Sequence, residues 1–263
     1  RRQRQMCIRD RSDIVLQGRG IDKYFGSGKH RRQVLFGVDI DVYAGECLAV
    51  IGGSGSGKTT LTRVLLGLES SDGGDIAYQG VGIVGGAERL RRQSGLVFQD
   101  PFGSLDPRWR IERSVAEPLR LHHPDWSDER VGARVAESLR MVDLDPKDFL
   151  NRFPMDLSGG QAQRAAIARA IVDHPRILLA DEPMSAIDVA ARIRILDSFR
   201  RIRQAEPDMA LIMVSHDLGV VRHIADRIVV LHDGRVEESG LTGEVLDAPR
   251  RDYTRELIRA ASL

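Results

Sequence analysis

Residues 52–60 read GGSGSGKTT, and the residue types of this stretch answer one physical problem, the holding of a polyphosphate. Gly52, Gly55 and Gly57 carry no side chain, so the loop is free to curl until successive backbone N–H groups face one anion-sized hollow. Lys58 adds a full positive charge and opens the following helix, whose positive dipole end and unpaired N–H groups also favour phosphate. Thr59 supplies a hydroxyl for Mg²⁺. The spacing G-x-x-x-x-G-K-[ST] from Gly52 to Thr59 is the Walker A pattern. A flexible glycine loop has the same composition. The context favours nucleotide, because residues 47–51, CLAVI, read as a buried strand and residues 60–66 as a helix. The nucleotide contacts expected from the loop are Gly52, Ser54, Gly55, Ser56, Gly57, Lys58, Thr59 and Thr60.

Around this loop the chain has the composition of a globular protein: 263 residues, 42% hydrophobic and 29% charged, enough for one large domain or a core with a satellite. A formal net charge of +1 gives no global attraction to nucleic acid or to an anionic membrane, and no nucleic-acid partner is expected. The two cysteines, Cys7 and Cys47, are too few for a disulfide framework and read as reduced thiols of a cytoplasmic protein. No apolar run approaches the roughly 20 residues that span a bilayer, and no secretory hydrophobic segment is present. Residues 1–13, RRQRQMCIRDRSD, are arginine-rich and aperiodic. They read as a tail or remnant outside the fold, disordered, in preference to a basic arm.

Residues 14–21 and 38–43 alternate apolar and polar as half-buried strands do, with GSGKHRRQ at 26–33 as the turn between them. A strand at 75–79 extends this antiparallel β-layer, followed by a glycine-rich stretch to Gly86 and a short strand at 96–98 that ends at Pro101. From 111 to 153 the pattern turns helical, with Val131, Val135, Leu139 and Val142 at three- and four-residue spacing and breaks at Pro124 and Pro146. Trp109, Trp126 and Phe149 in this region read as packing residues. Residues 177–180, 211–214 and 228–231 are continuous apolar runs separated by helical segments, the pattern of a parallel sheet buried on both faces. Two short helices divided by Pro249 end the sequence.

Chemistry gathers where these strands end. Asp181 and Glu182 follow the run 177–180 directly, and adjacent carboxylates at a buried strand end are costly unless a cation or a reaction uses them. Asp181 suits Mg²⁺ and Glu182 suits the attacking water, with an acidic turn cap as the plain alternative. Ser158, Gly159, Gly160 and Gln161 open a strongly helical run and form either a second anion site or a simple cap. One nucleotide has no use for both helix ends unless they meet across an interface. His216 follows the strand 211–214, either as a structural ring or beside a γ-phosphate, and Gln99 offers an uncharged amide to a metal or water.

In order along the chain, these segments make it similar to the nucleotide-binding subunits of ABC transporters, from about residue 14 to the end. The resemblance makes 52–59 the Walker A loop, Gln99 the Q-loop and a metal contact, and LSGGQ at 157–161 the signature. It likewise makes 177–181 Walker B, Glu182 the catalytic carboxylate, 185–188 with Asp188 the D-loop, and His216 the switch histidine. Phe25, two residues after a lysine, falls at the adenine-stacking position, with Tyr24 as the fallback and core packing as the alternative for both. VFQDPFGSLDPR at 97–108 and VLDAPRRDYTRELI at 245–258 further resemble the oligopeptide, dipeptide and nickel importer ATPases. Met184, Ile187 and Ser215 depart conservatively from the family's common residues.

The resemblance implies a P-loop NTPase (RecA-like) α/β core with an antiparallel β-layer and an inserted α-helical subdomain at about 111–156, all within 14–263. It implies an ATPase using ATP and Mg²⁺, peripheral on the cytoplasmic face of the inner membrane. Expected partners are transmembrane permease subunits, a second ATPase subunit, identical or related, and indirectly a solute-binding protein. The sequence stops at Leu263 without the cysteines that carry an iron–sulfur cluster in some members, so no cluster is expected. The rival reading is a soluble ABC-type accessory subunit of an enzyme complex such as carbon–phosphorus lyase, and residues 97–108 favour the importer.

Overall fold

The computed structural model describes residues 14–83, 87–185 and 187–261. The arginine-rich segment 1–13 with Cys7, the end of the glycine-rich stretch at 84–86, and Ala186 of the D-loop lie outside the described residues.

Two long strands, β1 (Ile14–Phe25) and β2 (Arg32–Tyr43), run antiparallel and reach further than the alternation at 14–21 and 38–43 suggests. The parallel core begins with β3 (Cys47–Ile51), all of it buried, and the phosphate loop leads from it into α1 (Lys58–Leu65). Next come β4 (Gly73–Tyr78), the short β5 (Val81–Gly82), α2 (Glu88–Arg92) and β6 (Ser94–Val97). Phe98 falls outside β6 and is 41% exposed. Asp100 caps the Phe102 N–H and Pro101 opens α3 (Pro101–Ser104), so the chain turns into a helix where the sequence suggests only a break. In the helical region lie α4 (Ile111–His122), α5 (Asp128–Met141), α6 (Pro146–Phe149) and α7 (Gly159–Ile171). α4 runs through Pro118, and Pro146 starts a helix as much as it ends one. The remainder alternates: β7 (Ile177–Asp181), α8 (Val189–Ala205), β8 (Ala210–Val214), α9 (Leu218–Ile224), β9 (Arg227–His232), β10 (Arg235–Leu241), α10 (Thr242–Asp247) and α11 (Asp252–Ala261).

Two sheets result. The antiparallel layer has the order β2-β1-β4-β5, and the larger sheet β10-β9-β3-β8-β7-β6, parallel throughout except for β10. β3 alternates between the two faces: Leu48 and Val50 join the cluster with the β-layer and α1, while Ala49 and Ile51 join that of α9 to α11. Burial on both faces is why these strands are apolar without interruption. On the far face, Val131, Val135, Leu139 and Val142 share one cluster with α7 and with Leu178 and Ala180 of β7. Trp126 and Phe149 pack against that cluster, and Trp126 stacks on His123 at 4.3 Å. With β3 central, the carboxyl ends of β3, β7, β8 and β9 converge on one edge, the usual ligand position in such sheets.

Candidate functional site

That edge opens as a cleft of about 1070 Å³. Its floor is the loop 52–60, and the loop's shape depends on glycine at two points. Gly52 has φ +153, and a Cβ there would come within 2.1 Å of the Leu231 carbonyl oxygen of β9. Gly57 has φ +100 and starts α1 with no side-chain cap, which leaves the first N–H groups of that helix without one. Gly52, Ser54, Gly55, Gly57, Thr59 and Thr60 line the cleft, whereas Ser56 is buried behind it.

Lys58 lies folded across its own loop, Nζ donating to the carbonyls of Gly52 (3.0 Å) and Gly53 (2.8 Å). Burial lowers its pKa, while Glu182 and Asp181 act in the opposite sense and hold the charge. Thr59 donates its hydroxyl to Asp181 across 3.5 Å. Burial pushes the Asp181 carboxyl up; the Thr59 hydroxyl lowers it, neighbouring Glu182 raises it, and Arg63 and Lys58 lower it again. A hydroxyl and a partly buried carboxylate side by side are the hard oxygen donors Mg²⁺ takes, and a cation there would relieve the cost of that buried charge, so the residues fit the ion.

Glu182 takes φ +47, a left-handed conformation that an ordinary residue adopts only when its surroundings impose it. Its N–H donates to Val214 O of β8 at 3.0 Å, which ties the Glu182 backbone, just past β7, to the end of β8. His216 Nδ1 stands 3.5 Å from its Oε2, with the ring 64% exposed toward the cleft that both line.

Phe25 and Tyr24 have different surroundings. Phe25 lines the cleft and is 43% exposed, while Tyr24 lies under the Arg31 guanidinium at 4.0 Å. Gln99 is exposed just past β6 and is not on the cleft wall. Ser158, Gly159, Gly160, Gln161 and Asp188 are also off it. Ser158 and Gln161 cap each other reciprocally, Ser158 N–H to Gln161 Oε1 at 2.9 Å and Gln161 N–H to Ser158 Oγ at 3.3 Å. Asp188 caps α8 by accepting the Ala191 N–H at 2.9 Å. Gly160 sits so tightly on α8 that a Cβ would lie 2.6 Å from that of Ala191, so α7 and α8 start side by side.

This is a phosphate loop, a hydroxyl–carboxylate pair, a strained carboxylate with a histidine, and a second helix start turned outward. A comparison with known families matches residues 35–185 to the ABC transporter family. The chain belongs to that family. The oligopeptide transport ATP-binding protein OppF of Escherichia coli K12 is 39% identical over 231 residues, covering 86% of this chain and 69% of that protein. The di/tripeptide transport ATP-binding protein DppF of Pseudomonas aeruginosa is 38% identical over 258 residues, covering 94% and 79%. Among solved structures, a bacterial ABC transporter cassette in dimeric form has a TM-score of 0.78 at 30% identity, covering 86% of this chain and 98% of that one. An ATP-binding cassette in a post-hydrolysis state with ADP and Pi aligns at 0.77, again at 30% identity, over 86% and 98%. As an ABC ATPase, the chain has ATP as its substrate and Mg²⁺ as its cofactor.

Sequence reasoning misses part of this ABC ATPase's cleft. Arg32, Gln33, Val34 and Phe36 of β2, Asp233 and Gly234 of the β9–β10 turn and Arg235 of β10 also line it. The Asp233-Gly234 pair was a legible hairpin signal, and its Gly234 N–H donates to Ser56 O at 3.0 Å, tying the hairpin to the loop. The β2 residues carry no motif.

Proposed function

We propose that the chain is the ATPase subunit of an importer for peptides, nickel or a related small solute, and that it acts in a pair. Each ATP is clasped between one chain's loop 52–60 and the other chain's Ser158-Gly159-Gly160 segment. The observation that carries the reading is the position of that segment, off the chain's own cleft at an exposed helix start. Gly159 has open space where a Cβ would go. The chain's own packing asks for no glycine at 159, so room is left there for close approach by another molecule.

Within the cleft, Lys58 and the loop N–H groups hold the phosphates and Phe25 stacks on the adenine. Thr59 and Asp181, with Gln99 once residues 98–104 move toward the cleft, hold Mg²⁺, which when bound neutralises charge on the phosphate oxygens. Glu182 takes the proton of the attacking water, His216 braces Glu182 and faces the γ-phosphate, and Asp188 faces the other chain. The helices around 111–156 read as the inserted subdomain that carries Ser158 between open and closed pairs. Permease subunits convert that closure into transport, and a solute-binding protein takes part only through them. The relatives' names support transport and peptide cargo. Among the described residues no helix is long and apolar enough to cross a membrane, in keeping with a peripheral place on the cytoplasmic face.

Ser158→Arg tests the pair. The bulky side chain fills the gap at the interface and leaves the phosphate loop untouched, so nucleotide should still bind the monomer while ATP-driven dimerisation and hydrolysis are lost. Wild-type hydrolysis by monomeric Ser158→Arg protein would end the reading.

A further inference from the structure

The stretch 245–258 takes no part in the motifs described above, yet it reaches the phosphate loop. Tyr253, in the first turn of α11, accepts a hydrogen bond on its hydroxyl from the Gly53 backbone N–H at 2.8 Å. Its ring stacks on that of His232 at the end of β9, with centroids 3.6 Å apart and planes 3° from parallel. Leu257 and Ile258 pack with Tyr253 against the cluster that holds Ala49 and Ile51 of β3 and Val230 of β9. Ahead of the helix, the Glu238 carboxylate accepts the N–H groups of Arg250 (2.9 Å) and Arg251 (3.2 Å), which fixes where α11 begins.

The residue that Tyr253 holds also holds Lys58, and so does the Gly52 carbonyl of the same peptide group, at 3.0 Å. Gly53 offers its N–H to the tyrosine and its carbonyl to Lys58 Nζ at 2.8 Å and to the Ser56 N–H at 3.3 Å. One residue earlier, Gly52 is wedged against the Leu231 carbonyl of β9. The loop therefore enters between β9 and α11, with the His232–Tyr253 stack spanning both. The ring and the two aliphatic residues suffice to dock the helix; the hydroxyl goes to the loop.

We propose that Tyr253 is a positioning residue for ATP binding: by accepting the Gly53 N–H it fixes the first turn of the phosphate loop and the carbonyl that aims Lys58, so α11 sets nucleotide affinity. The proposal rests on the reading of residues 52–59 as the phosphate loop.

Tyr253→Phe keeps the ring and removes the acceptor. Isothermal titration with Mg-ATP should show affinity weakened about three- to tenfold, the scale of one partly buried hydrogen bond. Steady-state kinetics should show KM for ATP raised by a similar factor and kcat held within about twofold, because the tyrosine touches neither Glu182 nor His216. The unliganded Tm should stay close to wild type. Wild-type affinity in the folded variant overturns the proposal, whether or not Tm falls. Should Tyr253→Phe fail to fold, Leu257→Ala decides: it loosens the helix but keeps the hydroxyl, and weaker nucleotide binding supports the coupling while unchanged binding overturns it. Lys58→Ala, run alongside, separates the two readings. If it weakens binding while Tyr253→Phe does not, the tyrosine's role alone falls; if neither does, the loop reading falls and takes this proposal with it.

Discussion

At Asp181 the fold and the chemistry want opposite things. Burial raises the carboxyl's pKa above its ordinary value, and the Thr59 hydroxyl only partly offsets it. A raised pKa means the folded chain binds that proton more tightly than the unfolded chain does. The resulting stability is full in acid and is lost as pH rises through the folded-state value, so at neutral pH the charged Asp181 is a net cost. Asp181→Asn should therefore raise the Tm of the protein free of nucleotide and Mg²⁺ at pH 7, by up to about 3 °C for a chain this size, and the gain should shrink toward acid. Hydrolysis should fall at least about a hundredfold. Differential scanning calorimetry across pH, with an ATPase assay, checks both; a variant less stable than wild type at pH 7 defeats the argument. The identity of this residue was legible, because a carboxylate pair after an apolar strand is conspicuous. The left-handed backbone of Glu182 was not, since no glycine or asparagine announces it.

Among elements, the legible ones are those whose period has a single reading. The runs of β7, β8 and β9 are apolar on both faces, and helices sheathe the sheet on one side while the β-layer and α1 cover the other. α5 shows its buried side through Val131, Val135 and Leu139 at four-residue spacing, and Ser127 caps it by accepting the Arg130 N–H. β10 was hidden because its residues are half-exposed and polar, as suits an edge strand whose register comes from the turn at Asp233-Gly234. α2 is too short and charged to show a period. α4 persists through Pro118 because its apolar face, Ile111, Val115 and Leu119, is fully buried and outweighs one lost backbone hydrogen bond. Leu139 of α5 is fully buried in the cluster shared with α7. Leu139→Ala should cost about 2–5 kcal/mol in denaturant unfolding. Yet ATP affinity of the folded protein should stay within about twofold, because no residue of that cluster lines the cleft. A parallel loss of affinity would mean that the helical region and the phosphate loop are energetically one unit.

For the whole molecule, the candidate groups of each chain fall in two separate places. The cleft carries Lys58, Thr59, Glu182 and His216, and the exposed starts of α7 and α8, off the cleft wall, carry Ser158, Gly159 and Asp188. The surplus of two phosphate-binding helix ends for one nucleotide was legible and pointed to an interface, but how α7 and α8 sit together was not, because spacing along a chain does not fix direction in space; the packing of Gly160 against Ala191 shows that the two helices start side by side. A division of this kind predicts complementation. Lys58→Ala removes charge-assisted contacts worth about 1.5–3 kcal/mol, which should weaken ATP binding roughly ten- to a hundredfold, and Ser158→Arg blocks the opposite half-site. In a mixed pair, both defects fall in one composite site. The other site joins the intact loop of the Ser158→Arg chain to the intact Ser158 of the Lys58→Ala chain. If identical chains pair, mixing two inactive variants should restore hydrolysis in proportion to the mixed pairs formed, and the rate should peak at equal amounts of the two. A linear sum of two near-zero rates at every ratio, with mixed pairs present by native mass spectrometry, would show that each chain completes its site alone.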